Sequence, residues 1–176
     1  MRFRVSQELR QPIGTEFVLE LRQRSLFLDD EVTLSDLKGS ARLLRTDRGL
    51  LVTVDARARA LGTCSRCLAS AESPIEIDFQ EEFIPVVDPV SGAHITPTEL
   101  EDGFVIDADF MLDLGESLRQ YALMSAPSKP LCRPDCAGLC HSCGINLNEG
   151  SCSCPPPEDE RRQALAALNP TDQEGS

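Results

Sequence analysis

Six of the eight cysteines in this chain of 176 residues crowd into one short segment. The six residues are Cys132, Cys136, Cys140, Cys143, Cys152 and Cys154, and almost no apolar side chains separate them. Such a segment cannot build a packed core, so a bound metal ion would have to supply its folding energy. The run Cys140-His-Ser-Cys143-Gly144 has the form of a zinc knuckle, in which glycine lets backbone N–H groups turn toward a thiolate. The spacing therefore predicts a structural metal site.

The remaining cysteines, Cys64 and Cys67, are separated by two residues at a point where two predicted strands reverse direction. Two thiolates at a tight turn can hold a metal ion from one side. The pair could also be a thiol redox motif, but that motif normally joins a strand to a helix, and here strands flank both sides. Two reduced, partly buried thiols are a third interpretation. Eight thiols make two four-ligand sites, or one site with cysteines to spare, and the sequence does not pair them.

A ligand set made only of thiolates favours zinc over calcium or magnesium, and a closed four-thiolate shell leaves no open position for catalysis. An iron–sulfur cluster uses the same ligands and is the main chemical rival. Structural disulfides would need an oxidising compartment. The first residues, MRFRVSQELRQ, lack the apolar segment of a secretory signal, so we expect a cytoplasmic protein with reduced thiols. His141 lies inside the knuckle and is expected to point to solvent.

The formal net charge of -12 argues against a uniformly basic nucleic-acid binder, and we expect no DNA partner. The charge is uneven, because residues 1–62 carry a small positive excess while the middle and the end of the chain are acidic. No apolar stretch reaches the roughly 18–20 residues that span a bilayer, so we expect no membrane partner. The sequence makes no prediction about oligomeric state.

A local basic face could still contact RNA. The candidate RNA-binding residues are Arg57 and Arg59, which share one side of a predicted strand, and Arg66 between the first two cysteines. Arg42, Arg45 and Arg48 on the preceding hairpin could extend this face. The alternative is a solvated strand face on which these arginines pair with Glu76 and Asp78 of the next strand.

Alternating apolar and polar residues predict the strands that must position these groups. The pattern predicts strands over 50–61, 75–83 and 41–44, with a turn at Asp47-Arg48-Gly49, which together would form an antiparallel meander. Two further strands are expected over 3–9 and 17–21. The proline-rich and acidic stretch 85–103 is expected to be a loop.

Asp113 and Glu116 are spaced like the start of a capping box, and the helix that they would open is expected to end before Pro127. A short helix is expected over 158–168. We therefore expect an α+β protein: an antiparallel sheet with one packed helix, a metal-stapled cysteine-rich loop and a short C-terminal helix. The expected divisions are a core domain over 1–126, the cysteine-rich loop over 127–154, and a C-terminal helix and tail over 155–176.

No motif in the chain is typical of an enzyme. There is no phosphate-binding P-loop, no glycine-rich dinucleotide turn, no G-x-S-x-G and no H-E-x-x-H. Acidic pairs such as Glu81-Glu82 are better explained as solvated surface. We therefore expect a protein without catalytic activity.

Several motifs together resemble one known family. A strand ends in Cys64-Ser-Arg-Cys67-Leu68, an acidic strand and a helix beginning Asp113-Leu-Gly-Glu follow, and then comes Lys129-Pro-Leu-Cys132. The last motif is Cys136-Ala-Gly-Leu-Cys140-His-Ser-Cys143-Gly-Ile-Asn-Leu-Asn148, closed by Cys152-Ser-Cys154. At these spacings the chain resembles the YceD family of large-subunit ribosomal RNA accumulation proteins over roughly residues 40–168.

The resemblance implies a non-enzymatic role in the accumulation of large-subunit (23S) ribosomal RNA and in biogenesis of the large ribosomal subunit. The implied partner is ribosomal RNA or a large-subunit ribosomal protein. Two alternatives stand beside this interpretation. One is an acidic adaptor that binds a basic ribosomal protein, and the other is a thiol redox protein that uses Cys64 and Cys67.

Overall fold

The computed structural model describes residues 1–29, 32–95 and 104–155. Within them, seven strands form one sheet in the order β1-β7-β6-β5-β4-β3-β2. The strands are β1 Arg2–Arg4, β2 Glu16–Phe27, β3 Thr33–Arg45, β4 Leu50–Thr63, β5 Ser70–Pro85, β6 Phe104–Ile106 and β7 Met111–Asp113. A 3-10 helix spans Glu8–Arg10, and the helix α1 spans Gly115–Ser125. No helix in the described residues has the length and hydropathy needed to cross a membrane.

The two central strands show why the alternating pattern predicted them. On β4 the even-numbered residues from Leu50 to Ala60 are buried in the core, and on β5 Ile75, Ile77 and Phe79 are buried opposite them. The intervening residues face outward, as a strand with one covered face requires. The structure confirms both strands and extends them, to Thr63 on β4 and over Ser70–Pro85 on β5.

A β-bulge in β3 changes which side chains face outward. The pairing of β3 with β4 shifts between Ser35 and Lys38, where Asp36 has a φ of 52°. Both Leu34 and Leu37 are buried although they are three residues apart, so the alternation changes phase across the bulge. Beyond it, a Cβ placed on Gly39 would lie 2.2 Å from the carbonyl oxygen of Asp55, so only glycine fits this close approach of β3 and β4.

The short strands depart from the sequence prediction. The sheet is not wholly antiparallel, because β5 and β6 pair in parallel. Neither β6 nor β7 was predicted, since each has only three residues and shows no usable alternation. The strand expected over 3–9 is instead β1 followed by the 3-10 helix. The strand expected over 17–21 is the first half of β2.

The predicted capping box at the start of α1 is wrong. The N-cap is Leu114, and Asp113 is the last residue of β7, held there by its pairing with Arg2. Its carboxylate does accept a hydrogen bond of 2.8 Å from the N–H of Gly115, so it still serves the first turn. Glu116 does not reach back to the N-cap; it accepts hydrogen bonds from Arg119 instead.

The buried residues of α1 belong to the core under the sheet. Leu118 and Ala122 are fully buried in the cluster formed with β4 and β5. The Tyr121 ring stacks on Phe79 of β5 with 4.5 Å between ring centroids, and its hydroxyl donates to the carboxylate of Glu81. The helix expected over 158–168 lies outside the described residues, as does much of the loop expected over 85–103.

Candidate metal centres

The structure divides the eight cysteines into two groups of four. The first thiol cluster contains Cys64, Cys67, Cys132 and Cys136, and the second contains Cys140, Cys143, Cys152 and Cys154. Within each cluster all four sulfur atoms lie within 4.8 Å of one another. Cys132 and Cys136 therefore join the pair at the β4–β5 hairpin, while the other four cysteines of the segment 132–154 form a cluster of their own. All eight cysteines are free thiols.

The hairpin between β4 and β5 presents the first two sulfurs on one side. Two backbone hydrogen bonds of Cys64 close the turn. Its N–H donates to the Ala69 carbonyl at 2.7 Å, and its carbonyl accepts from the N–H of Leu68 at 3.0 Å. The segment 130–139 binds to this hairpin through backbone hydrogen bonds. The N–H of Ser65 donates to the carbonyl of Pro130 at 2.8 Å, and the N–H of Leu139 donates to that of Arg66 at 3.1 Å.

Arg66 is part of this docking. Its guanidinium donates to the Cys136 carbonyl at 2.8 Å, across 70 residues of sequence. The predicted RNA-binding residue thus lies at the first thiol cluster and joins its two halves. Spacing alone could not place it there, because the contact depends on where residues 130–139 return to the hairpin.

Sulfur spacing in the first thiol cluster suits one metal ion. The Cys64 and Cys136 sulfurs are 3.8 Å apart, and those of Cys67 and Cys132 are 3.5 Å apart. A tetrahedral zinc ion with Zn–S bonds of about 2.3 Å places its sulfurs about 3.8 Å apart. Cys64, Cys67 and Cys136 are buried, which excludes water from three of the four ligands.

The second thiol cluster is built within one short segment. The knuckle closes by a hydrogen bond of 2.9 Å from the Gly144 N–H to the Cys140 carbonyl, and Gly144 has a φ of 73°. Leu68 occupies the corresponding position of the hairpin knuckle and also has a positive φ, 61°. Cys140 is buried, whereas Cys143 is exposed and Cys152 and Cys154 are partly so. The second cluster is therefore more open to solvent.

In each cluster, one sulfur accepts hydrogen bonds from more than one backbone N–H group. The amides of Cys132, Cys67 and Arg66 lower the pKa of Cys64 to about 6. The amides of Cys143 and Ser142 likewise lower the pKa of Cys140 to about 6. These N–H groups stabilise a thiolate, which is the form that binds metal.

Neighbouring sulfurs in the same cluster raise the pKa of other thiols. Contact with Cys67 raises the pKa of Cys132 to about 12, and contact with Cys143 raises that of Cys154 to about 12. Four thiolates within 4.8 Å repel one another unless a cation lies between them. The donor set and its spacing therefore fit a divalent, thiolate-binding metal ion in each cluster.

Asn148 connects the two clusters, and no sequence pattern assigned it a role. Its amide nitrogen lies 3.4 Å from the Cys136 sulfur, and its side-chain oxygen accepts from the N–H of Ala137 at 2.8 Å. It follows the knuckle of the second cluster while contacting a candidate ligand of the first. His141, by contrast, is exposed beside Ser142 and belongs to neither cluster, as expected.

The three arginines expected to bind RNA do not all lie together, because Arg66 is bonded at the first thiol cluster. Arg57 and Arg59 project from the outer face of β4, where Arg57 pairs with Glu76 at 3.3 Å and Arg59 pairs with Glu72 at 2.6 Å. Hydrogen bonding to Glu72 raises the pKa of Arg59. On the hairpin, Arg45 donates to the Leu9 carbonyl at 2.8 Å, and Arg48 lies 3.7 Å from Glu82. Arg42 is exposed on β3.

The chain has relatives in mycobacteria and in a plant. It is 34% identical over 118 residues to an uncharacterised protein of Mycobacterium tuberculosis, covering 67% of this chain and 54% of that protein. It is 29% identical over 106 residues to an uncharacterised protein of Mycobacterium leprae, covering 60% of this chain and 46% of that protein. This chain thus spans about half the length of the curated relatives it matches. No solved structure matches it significantly.

A named relative occurs in maize, where the large ribosomal RNA subunit accumulation protein YCED homolog 1, chloroplastic, is 38% identical over 50 residues. That match covers 28% of this chain and 17% of the maize protein. The sequence profile of the large ribosomal RNA subunit accumulation protein YceD matches residues 52–169, a range that holds both thiol clusters. The chain therefore belongs to the YceD family.

Proposed function

We propose that this protein is a non-enzymatic factor that supports accumulation of large-subunit (23S) ribosomal RNA, with two zinc ions holding its fold together. Family membership carries the functional part of this proposal, because the matched range 52–169 includes both thiol clusters and the strands between them. The maize relative is named for the same role. The partner is ribosomal RNA or a large-subunit ribosomal protein.

Zinc is the metal that the sulfur spacing supports. An iron–sulfur cluster places several iron atoms between its thiolates and needs a wider cage than four sulfurs within 4.8 Å. Two closed four-thiolate shells leave no coordination position for substrate, which supports a structural role. Elemental analysis of protein purified without oxygen should find two zinc ions per chain. Iron with visible absorbance, or an oxidised chain without metal, would contradict the assignment.

Loss of the protein in its own cell tests the function. We expect depletion to lower the ratio of large-subunit to small-subunit ribosomal RNA and to reduce free large subunits on a density gradient. The wild-type chain expressed in trans should restore both quantities, and a Cys64→Ser chain should not. An unchanged ratio in depleted cells would contradict the proposed function.

A second candidate is an acidic adaptor for a basic ribosomal protein. The outer face of β5 favours it, because Glu72, Glu76 and Asp78 are exposed along one strand of a chain with a net charge of -12. Such an adaptor should retain purified large-subunit proteins on a column at low salt and should retain no ribosomal RNA. Replacing Asp78 and Glu76 by their amides should release those proteins.

A thiol redox role is the remaining alternative. Cys64 and Cys67 share their cage with two further cysteines, and a bound metal would block both sulfurs from thiol–disulfide exchange. The metal-loaded protein should therefore show no disulfide reductase activity, whereas catalytic turnover by that form would favour the redox interpretation.

A further inference from the structure

Three cations lie side by side across the outer face of the sheet. Register places Arg22 of β2 opposite Lys38 of β3, and Lys38 opposite Arg57 of β4. All three side chains are exposed. The cation row is defined by these three residues, and Arg59 lies farther along β4 on the same face. The sequence does not reveal the row, because its members come from three separate strands.

Like charges directly opposite each other on adjacent strands destabilise a sheet, so the fold forms against this repulsion. Among the described residues, carboxylate partners lie only at the ends of the row: Arg22 lies 3.3 Å from Glu20, and Arg57 lies 3.3 Å from Glu76. Both pairs are open to water, with about three quarters of each side chain exposed, so they offset little of the repulsion. Lys38 has no ion-pair partner among the residues that the structure describes.

A depression in the outer face of the sheet lies next to part of the cation row. This depression of about 680 Å³ lies beside the bulge, and its lining includes Lys38, Arg57 and Arg59. Asp36 and Glu76 also line it, so the depression is not uniformly basic. It is open to solvent, which suits a charged ligand that lies along the surface.

Acidic residues limit where an anion can lie. One step along the strands from the cation row, toward residues 40 and 55, are Glu20, Asp55 and Asp78, whose positions are again in register. On the opposite side of the row lies Arg59, whose guanidinium is already paired with Glu72. A polyanion would therefore be held over the cation row itself, and it would be repelled from Glu20, Asp55 and Asp78.

We propose that the cation row formed by Arg22, Lys38 and Arg57 binds the phosphate backbone of an RNA strand that lies across β2, β3 and β4. The inference rests on the proposed function, which supplies RNA as the polyanion. Strands spaced about 4.8 Å apart place the outer two cations about 10 Å from each other, so several phosphates can be bound at once. Contacts of this kind position RNA without reading its sequence. Arg66 is not part of this surface, because its guanidinium is bonded at the first thiol cluster.

Binding of a fluorescein-labelled oligouridine to the full, zinc-loaded chain tests the proposal. The variant Arg22→Gln, Lys38→Gln, Arg57→Gln should bind at least about tenfold more weakly at low salt. Its plot of log affinity against log salt should be about two units shallower, since each phosphate that a cation neutralises adds about 0.7 to the slope. The matched control is Arg4→Gln, Arg119→Gln, Lys129→Gln, which removes the same charge away from the outer faces of β2 to β4 and should change both quantities little.

The single variant Glu76→Gln sharpens the test because it predicts a gain. Removal of the carboxylate that competes for Arg57 should strengthen oligouridine binding severalfold, whereas a surface that does not bind RNA would show no change. Equal weakening by the two triple variants, or no binding by wild type, would overturn the proposal. Preferential binding of polyglutamate over oligouridine would also overturn it, in favour of an acidic protein partner.

Cellular ribosomal RNA levels separate this surface from the function. If depletion lowers the large-subunit ribosomal RNA and the triple variant in the cation row restores it fully, the surface proposal fails while the function stands. If depletion changes nothing but the triple variant still loses oligouridine binding, the function fails and the surface stands. The melting temperature of each variant, measured beside wild type, verifies that the chain is folded.

Discussion

The two thiol clusters have the same type of ligand and different positions in the chain. The first joins residues separated by as many as 72 positions and fixes the returning segment 130–139 on the β4–β5 hairpin. The second closes a segment of fifteen residues upon itself, with one exposed and two half-buried sulfurs. A metal in the first cluster therefore stabilises tertiary structure, while a metal in the second stabilises a local loop. Four thiolates thus stabilise different levels of structure, because the first cluster joins two distant segments and the second joins the ends of one loop.

The largest effect is expected from Cys64→Ser. Cys64 is fully buried, and its sulfur accepts hydrogen bonds from three backbone N–H groups. Its replacement should release one zinc ion and detach the segment 130–139 from the β4–β5 hairpin. We expect the free energy of unfolding to fall by about 4–5 kcal/mol, which is large for a single substitution, because a structural metal is lost. Metal content and thermal unfolding measure this, and two retained zinc ions would contradict it.

A smaller effect is expected from Cys143→Ser, because this exposed residue belongs to the second cluster. One zinc ion should again be lost, but hydrogen exchange should quicken only in residues 139–155, and β4 and β5 should keep their protection. The free energy of unfolding should fall by about 1–2 kcal/mol, within the ordinary range for single substitutions. Faster exchange throughout β4 would show that the clusters are coupled, with Asn148 as the structural link.

The two knuckles have different residues, Leu68 and Gly144, at the position with a positive φ, which gives a paired test. Gly144→Ala should destabilise the chain by about 1 kcal/mol, because a side chain disfavours positive φ although no atom lies within 4 Å of the new Cβ. Leu68→Gly should have the opposite sign or no effect, because it relieves the same strain in the hairpin knuckle. Urea unfolding of both variants measures the difference. Destabilisation by Leu68→Gly would show that the exposed leucine makes stabilising contacts.

The smallest effect is expected at α1, which contributes no cysteine to either cluster. Hydrogen bonds from Arg119 and then Gln120 lower the pKa of Glu116 to about 2. A lowered pKa stabilises the folded chain at pH values above the unfolded pKa, and this contribution is lost as pH falls toward 2. The melting temperature of Glu116→Gln should therefore lie slightly below wild type at pH 7, with the difference shrinking toward pH 2. A constant difference would exclude the carboxylate as its cause.

Sequence patterns located the two central strands well. Alternation in β4 and β5 reports a face that is buried along its whole length, so it is visible in the residues themselves. The starts and ends of the short strands and of the helix were harder to predict from the sequence. Asp113 has the side chain of an N-cap, but its pairing in β7 moves the helix start by one residue, and no local pattern records that pairing.

The sequence by itself determined that thiolates are the candidate ligands, that two pairs with Cys-x-x-Cys spacing exist and that Arg57 and Arg59 share a face, since each depends on neighbouring residues alone. Only the tertiary structure decided how the eight cysteines are grouped, because the β4–β5 hairpin and residues 132–136 meet through backbone hydrogen bonds that no spacing encodes. It also separated Arg66 from the other two arginines. The cation row arises in the same way, because strand register and the bulge in β3 bring Arg22, Lys38 and Arg57 side by side from three strands.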